Sequence, residues 1–488
     1  MLPCNVLLDI FDIYRHDHDP DDNFKAVWEW HKLAHVCRTW RQIIFDSPLR
    51  LDLQIPCTYG TPVKKYLGIW PKLPITVDYY RPCRGFTTED DENIIFALEH
   101  TDRVTHIGLA DVTDLRLDKL ATVLQKPFPA LRCFIISGFS GGVRRFGDVL
   151  PLLPAKFLGG YASHLQIFHI GNIVFPTLPT FLLSASNLVV LKLYEMPPTS
   201  SSYIQPEVMA ACLAKLPRLK TLVMEFTLAS TPPSDQILPS ITRTVLPVLT
   251  HFTFKGAKKY LEDLTARFIC PRLDWVSVNY QDYLDYLPSE VVQFSSFLNL
   301  SLGPGAFRHA KVFFNTDRVS LYLYRHMVGA GRKWRPATTS ISFLAFGWRD
   351  SRVVQVLSTF SAILSPVVYF RLVVNLGYSL RNAKDPGWLI HLLHQFSTVR
   401  ALYISQEIAE PIASALKYVS GEVVAEALPS LDLICLEDQP TSSVEKFIVV
   451  CRLSGRPVTA VSTEEEFDQM LNSYNKNSEC VLHYPWYF

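Results

Sequence analysis

Four histidines near the N-terminus have the spacing that comes nearest to a metal site. His31 and His35 stand four residues apart, which places two ligands on one face of a helix, and His16 and His18 precede them. A structural zinc site takes four ligands, and no cysteine or carboxylate pair stands at a spacing that completes one. The sequence therefore predicts no metal and no cofactor.

The motifs of nucleotide binding and nucleophilic catalysis are also missing from the sequence. The segment from Gly329 to Lys333 has neither the spacing nor the terminal hydroxyl of a phosphate-binding loop, and no Gly-x-Ser-x-Gly turn is present. His391 and His394 are read as packing residues of a helix. Ten scattered cysteines without a Cys-x-x-Cys pair are typical of reduced, buried thiols. We therefore expect a protein that is not an enzyme, with a hydrolase on an irregular α/β fold as the distant alternative.

Charge and composition exclude further classes. The chain has 47 basic and 46 acidic residues, and this balance argues against a general nucleic-acid or anionic-membrane binder, because both depend on basic surface; a local basic patch stays open as an alternative. Two uncharged runs, His169 to Leu191 and Val353 to Phe370, reach membrane-spanning length but contain prolines, and we interpret them as interior repeat segments. Because no secretory segment precedes the first predicted helix, we expect the protein in the cytoplasm or nucleus.

Two amphipathic helices are predicted in residues 1–48. Pro3 suits the first turn of a helix, where its missing N–H is not needed. The first helix has an apolar face formed by Val6, Leu7, Ile10, Phe11 and Tyr14. The second has a stripe formed by Leu33, Val36, Cys37, Trp40, Ile43 and Ile44, and Ser47-Pro48 is expected to end it. About fifty residues make a marginal core, so the following domain or a partner must cover the remaining apolar surface.

The same residues resemble an F-box. The resemblance rests on Leu2-Pro3, Val6-Leu7 and Ile10-Phe11, followed by Cys37-Arg38-Thr39-Trp40-Arg41-Gln42-Ile43. An insert at about residues 15–29 separates the two halves more widely than in a compact F-box. This insert, together with the segment Ser47-Pro48-Leu49-Arg50-Leu51-Asp52-Leu53, is similar to F-box proteins of mushroom-forming fungi. The resemblance covers about the first eighty residues.

The resemblance implies a docking module. In the F-box family this segment attaches a substrate-recognition domain to the Skp-type adaptor of a cullin-type (SCF) ubiquitin ligase, and catalysis belongs to a partner. The adaptor contacts that it implies are Leu2, Pro3, Val6, Leu7, Ile10, Phe11, Val36, Trp40 and Ile43, some of which must also hold the helices together. Periodicity leaves one alternative open, in which the helices only cover the hydrophobic end of the next domain.

Residues 49–488 show a repeating pattern. The run from Leu49 to Ile55 alternates as a half-buried strand does, and Ile75, Val77 and Tyr79 follow a helix-like segment from Pro62 to Trp70. Further on, a Leu-x-x-Leu-x-Leu triplet recurs in seven clear units: Val104-Ile107-Leu109, Leu131-Phe134-Ile136, Leu165-Phe168-Ile170, Leu188-Leu191-Leu193, Leu219-Leu222-Met224, Leu249-Phe252-Phe254 and Leu273-Val276-Val278.

Six weaker units continue the series. They are Phe297-Leu300-Leu302, Val319-Tyr322-Tyr324, Ile341-Leu344-Phe346, Val367-Phe370-Leu372, Val399-Leu402-Ile404 and Leu431-Ile434-Leu436. The thirteen units start 22 to 34 residues apart, which fits one strand, one helix and two turns. The sequence thus predicts an α/β fold, in which the helical F-box precedes an irregular leucine-rich-repeat-like solenoid with parallel strands and outer helices.

Some details of the repeat remain open. The asparagine that usually turns the chain in leucine-rich repeats is replaced, for example by Val112, Phe139 and Met196. A separate α/β arrangement or another repeat geometry is the alternative for residues 285–400. Val208 to Ala214 and Ala413 to Leu416 are predicted as helical halves of repeats. Residues 464–471 are predicted as a short amphipathic helix that caps the solenoid.

The residues between the triplet positions are expected to face outward and to form a surface for a protein substrate. The candidates are Lys192, Tyr194, Glu225, His251, Lys255, Trp275, Asn279, Tyr369 and Arg371. Trp275 is the best candidate for an anchor by residue type, because an exposed indole is common at interfaces. The alternative function is a non-catalytic repeat scaffold that binds a protein partner without ligase attachment.

Overall fold

The computed structural model describes residues 3–16, 30–48, 50–51, 53–70, 72–80, 86–139, 150–196, 203–226, 243–283, 292–303, 305–315, 318–325, 338–344, 357–374, 394–410, 412, 428–440, 444–453 and 455–476. The chain divides into two compact units, Met1–Thr227 and Leu228–Phe488. Each unit is a mixed α/β, solenoid-like array in which strands of one sheet alternate with helices. No helix in the described part of the chain is both long and apolar enough to cross a bilayer.

Within the described residues, three helices open the first unit: α1 (Cys4–His16), α2 (Trp30–Val36) and α3 (Arg38–Asp46). The prediction of one continuous second helix is therefore wrong, because the helix is interrupted at Cys37. The Cys37 backbone is extended (φ −156°, ψ 171°), and its Sγ accepts a hydrogen bond from the Trp40 N–H at 3.4 Å, so Cys37 caps α3. The predicted end before Ser47 is confirmed.

In the described part of the first unit, seven parallel strands form the sheet in chain order. They are β1 (Ile55–Cys57), β2 (Ile75–Tyr79), β3 (Val104–Val112), β4 (Cys133–Gly138), β5 (Ile167–Gly171), β6 (Val190–Met196) and β7 (Thr221–Phe226). The helices between them are α4 (Val63–Ile69), α5 (Thr88–Leu98), α6 (Asp114–Leu124), α7 (Leu178–Ser184) and α8 (Pro206–Leu213), with a 3-10 helix at Phe157–Gly160. The strand predicted from Leu49 to Ile55 is wrong except at its last residue, because the described residues before Ile55 are turns or irregular backbone and the strand runs from Ile55 to Cys57.

The predicted triplets form the core of this unit. All fifteen triplet residues from Val104 to Met224 are 2% exposed or less. Phenylalanines fill the space between the sheet and the helices, and the Phe157 ring lies 4.9 Å from Phe134 and 5.3 Å from Phe175. Side chains between the triplet positions point to the opposite side, which we call the open face of the sheet.

The strands of several repeats end in a shared turn. Asp111, Asn172 and Glu195 each stand two residues after the third triplet position, and each has a left-handed backbone with φ between 46° and 57°. The register of β3 and β6 with the next strand shifts at this point. This bulged turn lies one residue before the position at which leucine-rich repeats place their asparagine, and a half-buried or buried polar residue of variable type makes the change of direction.

The second unit contains strands β8 (Thr244–Val245), β9 (His251–Gly256), β10 (Phe268–Ile269), β11 (Trp275–Tyr283), β12 (His309–Phe314), β13 (Arg318–Tyr324), β14 (Thr339–Leu344), β15 (Tyr369–Val374), β16 (Ala401–Ile404), β17 (Leu433–Leu436) and β18 (Thr459–Val461). Its helices are α9 (Lys258–Thr265), α10 (Val292–Leu302), α11 (Ser361–Leu364), α12 (Glu445–Leu453) and α13 (Glu464–Lys476), with a 3-10 helix at His394–Phe396. The main sheet has the order β9-β11-β14-β13-β12-β15-β16-β17-β18, and β8 pairs with β10.

The middle of the second unit departs from the predicted repeat. Strand β13 is antiparallel to both β12 and β14, so a three-stranded meander interrupts the parallel order. Two predicted triplets are wrong here. Phe297-Leu300-Leu302 belongs to helix α10 rather than to a strand. Strand β13 buries Val319, Leu321 and Leu323, whereas the predicted Tyr322 and Tyr324 are only half-buried. In β14 the buried residue is Phe343 rather than Leu344. In these strands the buried apolar residues follow the two-residue period of a regular strand rather than the i, i+3, i+5 spacing of the predicted repeat.

The C-terminal helix α13 is confirmed as a helix, and its position explains why two strands are buried on both sides. Phe467 and Leu471, both 1% exposed, pack on Ala401, Tyr403, Leu433 and Cys435 of β16 and β17. These sheet residues alternate with the core triplets, so α13 covers the open face of the sheet there. The predicted helical segment at residues 413–416 and the predicted unit end at Phe346 lie outside the described residues.

Candidate functional site

Helix α1 carries apolar side chains on two sides. Leu7 and Phe11 are buried, at 6% and 0% exposure, and form the inner side together with Leu8. Val6, Ile10 and Ile13 follow each other at helical spacing and are 40%, 41% and 67% exposed. We call these three residues the N-terminal apolar patch. The helix thus retains an apolar row after its packing within the described residues is complete.

Packing between the helices fixes the inner side of α1. The Phe11 ring meets the Trp40 ring of α3 edge to face at 4.9 Å. The Arg41 Nε of α3 donates to the carbonyl oxygen of Ala34 at 2.9 Å, which ties α3 to α2 across the break at Cys37. The contact between Phe11 and Trp40 uses the side of α1 that faces away from the patch.

The three helices are also held by the first repeat of the same unit. The Trp70 ring, just after α4, lies 5.7 Å from Phe45 of α3 and 6.0 Å from His35 of α2. The Arg50 guanidinium pairs with the Asp9 carboxylate of α1. The helices are therefore positioned by the repeat domain, and the N-terminal apolar patch is presented on a fixed support.

The structure divides the implied adaptor contacts into three groups. Pro3, Val6, Ile10 and Val36 are exposed, Trp40 and Ile43 are half-buried, and Leu7 and Phe11 are buried packing residues. Leu2 lies outside the described residues. Ile13 is exposed on the same face as Val6 and Ile10 and was not among the predicted contacts, although its helical spacing from Val6 would have identified it.

The predicted substrate-binding residues mostly occupy the open face. Lys192, Tyr194, Glu225, Lys255, Trp275, Asn279 and Tyr369 are half-buried, and His251 is exposed. Some already have partners: Asn279 Oδ1 accepts a hydrogen bond from Arg318 Nη1 at 2.6 Å, and the Tyr369 ring stacks on His309 at 4.6 Å. Alternation therefore predicted the direction of these side chains but not their local pairing.

Arg371 is the exception, because it is buried and not available to a substrate. It is 8% exposed, and its guanidinium pairs with Glu464 and Asp468 of α13. Its guanidinium carbon lies 4.8 Å from the centre of the Tyr403 ring and 5.5 Å from that of Phe467. The prediction of Arg371 as a substrate contact is wrong because α13 folds over this part of the open face.

A cavity of about 310 Å³ opens on the open face of the first unit, at the C-terminal ends of β4, β5 and β6. We call it the open-face cavity. Its wall residues include Tyr80, Ile135, Ile136, Ser137, Gly138, His169, Ile170, Gly171, Asn172, Tyr194, Glu195 and Glu225. Among the predicted candidates, the fold brings Tyr194 and Glu225 to this cavity, whereas Lys192 stands two residues earlier on β6 and does not line it.

Two histidines of this open face are neutral at physiological pH. Burial lowers the pKa of His106 to about 4. Burial also lowers the pKa of His169 to about 4, with a smaller contribution from the nearby Lys192 ammonium. Both imidazoles therefore lack charge near pH 7, and the charged groups on the cavity wall are the carboxylates of Glu195 and Glu225.

His169, Asn172 and Tyr80 line the cavity but were not predicted as site residues. His169 was detectable, since it stands between two triplet positions of the Leu165 unit and must face outward. Asn172 and Tyr80 follow the ends of their strands, where the alternating pattern stops. Their contribution depends on the left-handed turn and on strand register, which a single sequence does not reveal.

The thiols of the described core do not resemble nucleophiles. Burial raises the pKa of Cys57 and of Cys133 to about 12 and that of Cys270 further, so each is protonated at neutral pH. Within the described ranges, no cluster of histidine, cysteine or carboxylate side chains could hold a metal ion. Of the histidine group, His18 lies outside those ranges and the side chains of His16 and His31 are not described either.

Comparison with known proteins gives little guidance. No protein-family model and no curated protein matches the chain. A search of solved structures finds a chain of the "Crystal structure of Rad7 and Elc1 complex in yeast", with 11% identity over 95% of this chain and 94% of that chain, and a TM-score of 0.28. A TM-score of this size supports no inference about function.

Proposed function

We propose that the protein is a substrate-recognition subunit of a cullin-type ubiquitin ligase. In this proposal the N-terminal helices bind a Skp-type adaptor, the repeat units bind a protein substrate, and catalysis belongs to the ligase partners. The protein would act in the cytoplasm or nucleus. The single observation that carries the proposal is the N-terminal apolar patch, an exposed row on the helix whose residues resemble an F-box.

The packing of helix α1 on one side leaves its apolar row available for a partner. Val6, Ile10 and Ile13 stay 40% to 67% exposed although the other side of α1 is packed and ion-paired to the repeat domain. Burying the remaining exposed part of three such side chains in a partner would contribute about 3 kcal/mol. That amount corresponds to more than a hundredfold in affinity.

The test is a binding titration of the purified full chain with a purified Skp-type adaptor. The variant Val6→Asp/Ile10→Asp places two charges in the patch without changing a buried residue. We expect binding to fall at least about a hundredfold, while circular dichroism and the unfolding midpoint stay close to those of the wild type.

The matched control is Leu183→Asp/Val208→Asp. These residues are 52% and 39% exposed and lie on α7 and α8 of the same unit, away from the N-terminal helices. The control should bind the adaptor as the wild type does. If the folded wild type does not bind the adaptor, the receptor proposal is wrong and the scaffold function, without ligase attachment, takes its place.

A further inference from the structure

The open face of the second unit carries basic side chains around the meander β12 to β14. Lys311 of β12, Arg318 of β13 and Arg371 of β15 alternate with the core residues of their strands and therefore point to this side of the sheet. Lys311 and Arg318 are half-buried, and Arg371 is buried. No aspartate or glutamate stands at the described positions that pair in register between β11 and β15. The sheet itself thus presents a cationic surface here.

The Lys311 ammonium lacks a counterion. Within the described residues it makes no hydrogen bond or ion pair, and it lies 5.4 Å from the centre of the Phe313 ring of the same strand. Burial lowers the pKa of Lys311 and the neighbouring Arg371 guanidinium lowers it further, against a smaller opposite effect of the Glu464 carboxylate. A carboxylate brought directly beside Lys311 would therefore stabilise its charged form.

Arg318 is the second basic side chain that no described carboxylate neutralises. Its Nη1 donates to Asn279 Oδ1 at 2.6 Å, which orients the guanidinium over the sheet without cancelling its charge. Lys311 is the register partner of Tyr322, four residues after Arg318 on β13, so the two basic positions are about 13 Å apart along the strands. Two carboxylates of one chain segment can span that distance.

Small side chains lie beside these two basic positions. Ser320 Oγ and Ser342 Oγ are hydrogen-bonded to each other at 2.8 Å, and Ser340 Oγ donates to Ser277 Oγ at 3.0 Å. Because serines are short, a chain segment can approach the sheet closely at this point. We call this surface the meander face, and it consists of Lys311, Arg318, Ser320, Tyr322, Ser340 and Ser342.

The neighbouring part of the same open face already binds an acidic segment. Helix α13 begins with three glutamates, and its Glu464 and Asp468 carboxylates both pair with Arg371. Arg371 is the register partner of Lys311 on the next strand, so the meander face begins where the contact with α13 ends. Since both carboxylates are paired with Arg371, the repulsion that they exert on a further acidic segment is reduced.

We infer that the meander face binds an acidic segment of a protein partner, whose carboxylates pair with Lys311 and Arg318. The Tyr322 hydroxyl donates a hydrogen bond to the carboxylate at Lys311. The inference rests on the proposed function only in taking the segment from a ligase substrate, and it identifies the chemical class of sequence that the second unit recognises. A nucleic acid fits this surface less well, because two basic side chains neutralise few phosphates.

The test measures binding of blocked hexaglutamate, labelled with a neutral dye, to the full chain by fluorescence anisotropy. The matched probes are the neutral isostere hexaglutamine and a single-stranded oligothymidylate of the same length. We expect hexaglutamate to bind at least about tenfold more tightly than hexaglutamine, because the carboxylates are attracted to the basic surface. Added salt should weaken hexaglutamate binding, since it screens this attraction.

Two variants at one position test the site. Lys311→Gln removes one positive charge and should weaken hexaglutamate binding about fivefold, whereas Lys311→Arg should retain it. The matched control is Lys446→Gln, which changes an exposed lysine of α12 in the same unit and should bind as the wild type does. Unfolding midpoints of the three variants show whether the fold is intact.

The outcomes separate this inference from the proposed function. Equal binding of hexaglutamine, unchanged binding by folded Lys311→Gln, or an equal loss in Lys446→Gln overturns the inference while adaptor binding stands. Tighter binding of the oligothymidylate than of hexaglutamate overturns the assignment to a protein segment. Hexaglutamate binding by a chain that does not bind the adaptor leaves the inference in place and overturns only the ligase proposal.

Discussion

Glu262 connects two helices of the second unit through its carboxylate. It belongs to α9, and its Oε2 accepts a hydrogen bond from the Gln293 N–H at 2.7 Å, while its Oε1 accepts one from the Phe294 N–H at 3.3 Å. Both donors are at the start of α10, where helical N–H groups lack partners. Burial nevertheless raises the pKa of Glu262 to about 7, because it outweighs the effect of these donors.

This pKa gives a prediction about stability and pH. The folded-state pKa lies above the ordinary value of 4.5, so the stability gained by protonating Glu262 is fully present below pH 4.5 and is lost as the pH rises through about 7. The variant Glu262→Gln keeps an acceptor for α10 and carries no charge. We expect it to match the wild type at pH 4.5 and to be about 2 kcal/mol more stable at pH 8, measured by urea unfolding.

The control for this prediction is Glu465→Gln, an exposed glutamate of α13 in the same unit. Its stability relative to the wild type should change little between the two pH values. If the stability of Glu262→Gln relative to the wild type does not increase with pH, burial of a charged Glu262 does not destabilise the folded protein and the prediction is wrong.

Single residues also show the limit of reading the sequence alone. The alternating pattern correctly predicted that Lys192, Tyr194 and Trp275 leave the core. It failed for Arg371, because the carboxylates that bury its guanidinium come from α13, more than ninety residues later. Contacts between segments so far apart in sequence have no local pattern from which they could be predicted.

Among the elements, the ends of β4 and β5 are in unusually close contact. A Cβ atom added to Gly138 would stand 2.5 Å from the carbonyl oxygen of Asn172, in the left-handed turn that follows β5. Backbone atoms cannot move aside as a flexible side chain can. Glycine at position 138 is therefore required by the approach of the next repeat.

We predict that Gly138→Ala destabilises the protein by about 2 kcal/mol, because the two strand ends must separate. The matched substitution is Gly68→Ala in helix α4, where nothing lies within 4 Å of the added methyl group. It should stabilise the protein by about 0.5 to 1 kcal/mol, because alanine loses less conformational entropy in a helix. The free energy of unfolding of both variants, measured by chemical unfolding, checks the prediction. Equal changes in the two variants would contradict the contact between Gly138 and the Asn172 carbonyl oxygen.

The elements were predictable where one repeat follows another regularly. Triplet positions identified three core residues of every repeat from β3 to β7, because each repeat contributes the same three positions to a shared core. The meander β12 to β14 was not predictable in this way, since antiparallel pairing leaves only a period-two pattern. The break at Cys37 was also missed, because the apolar stripe continues across it.

On the scale of the whole molecule, the N-terminal apolar patch and the open-face cavity are both formed by residues of one unit, Met1–Thr227. The sequence predicted the patch in part through the F-box resemblance, and it named two of the residues that line the cavity. It did not predict the cavity itself, which needs the register of four strands and the geometry of their turns.

The position of α13 also determines how the strands should tolerate substitution. In β6 the core positions alternate with half-buried ones, so a saturation mutagenesis profile of this strand should rise and fall with a period of two residues. In β16 and β17 every residue is buried, because the core lies on one side and α13 covers the other. Charged replacements at Tyr403 and Cys435 should therefore be rejected as strongly as those at Leu402 and Ile434, and the period of two should disappear from these strands.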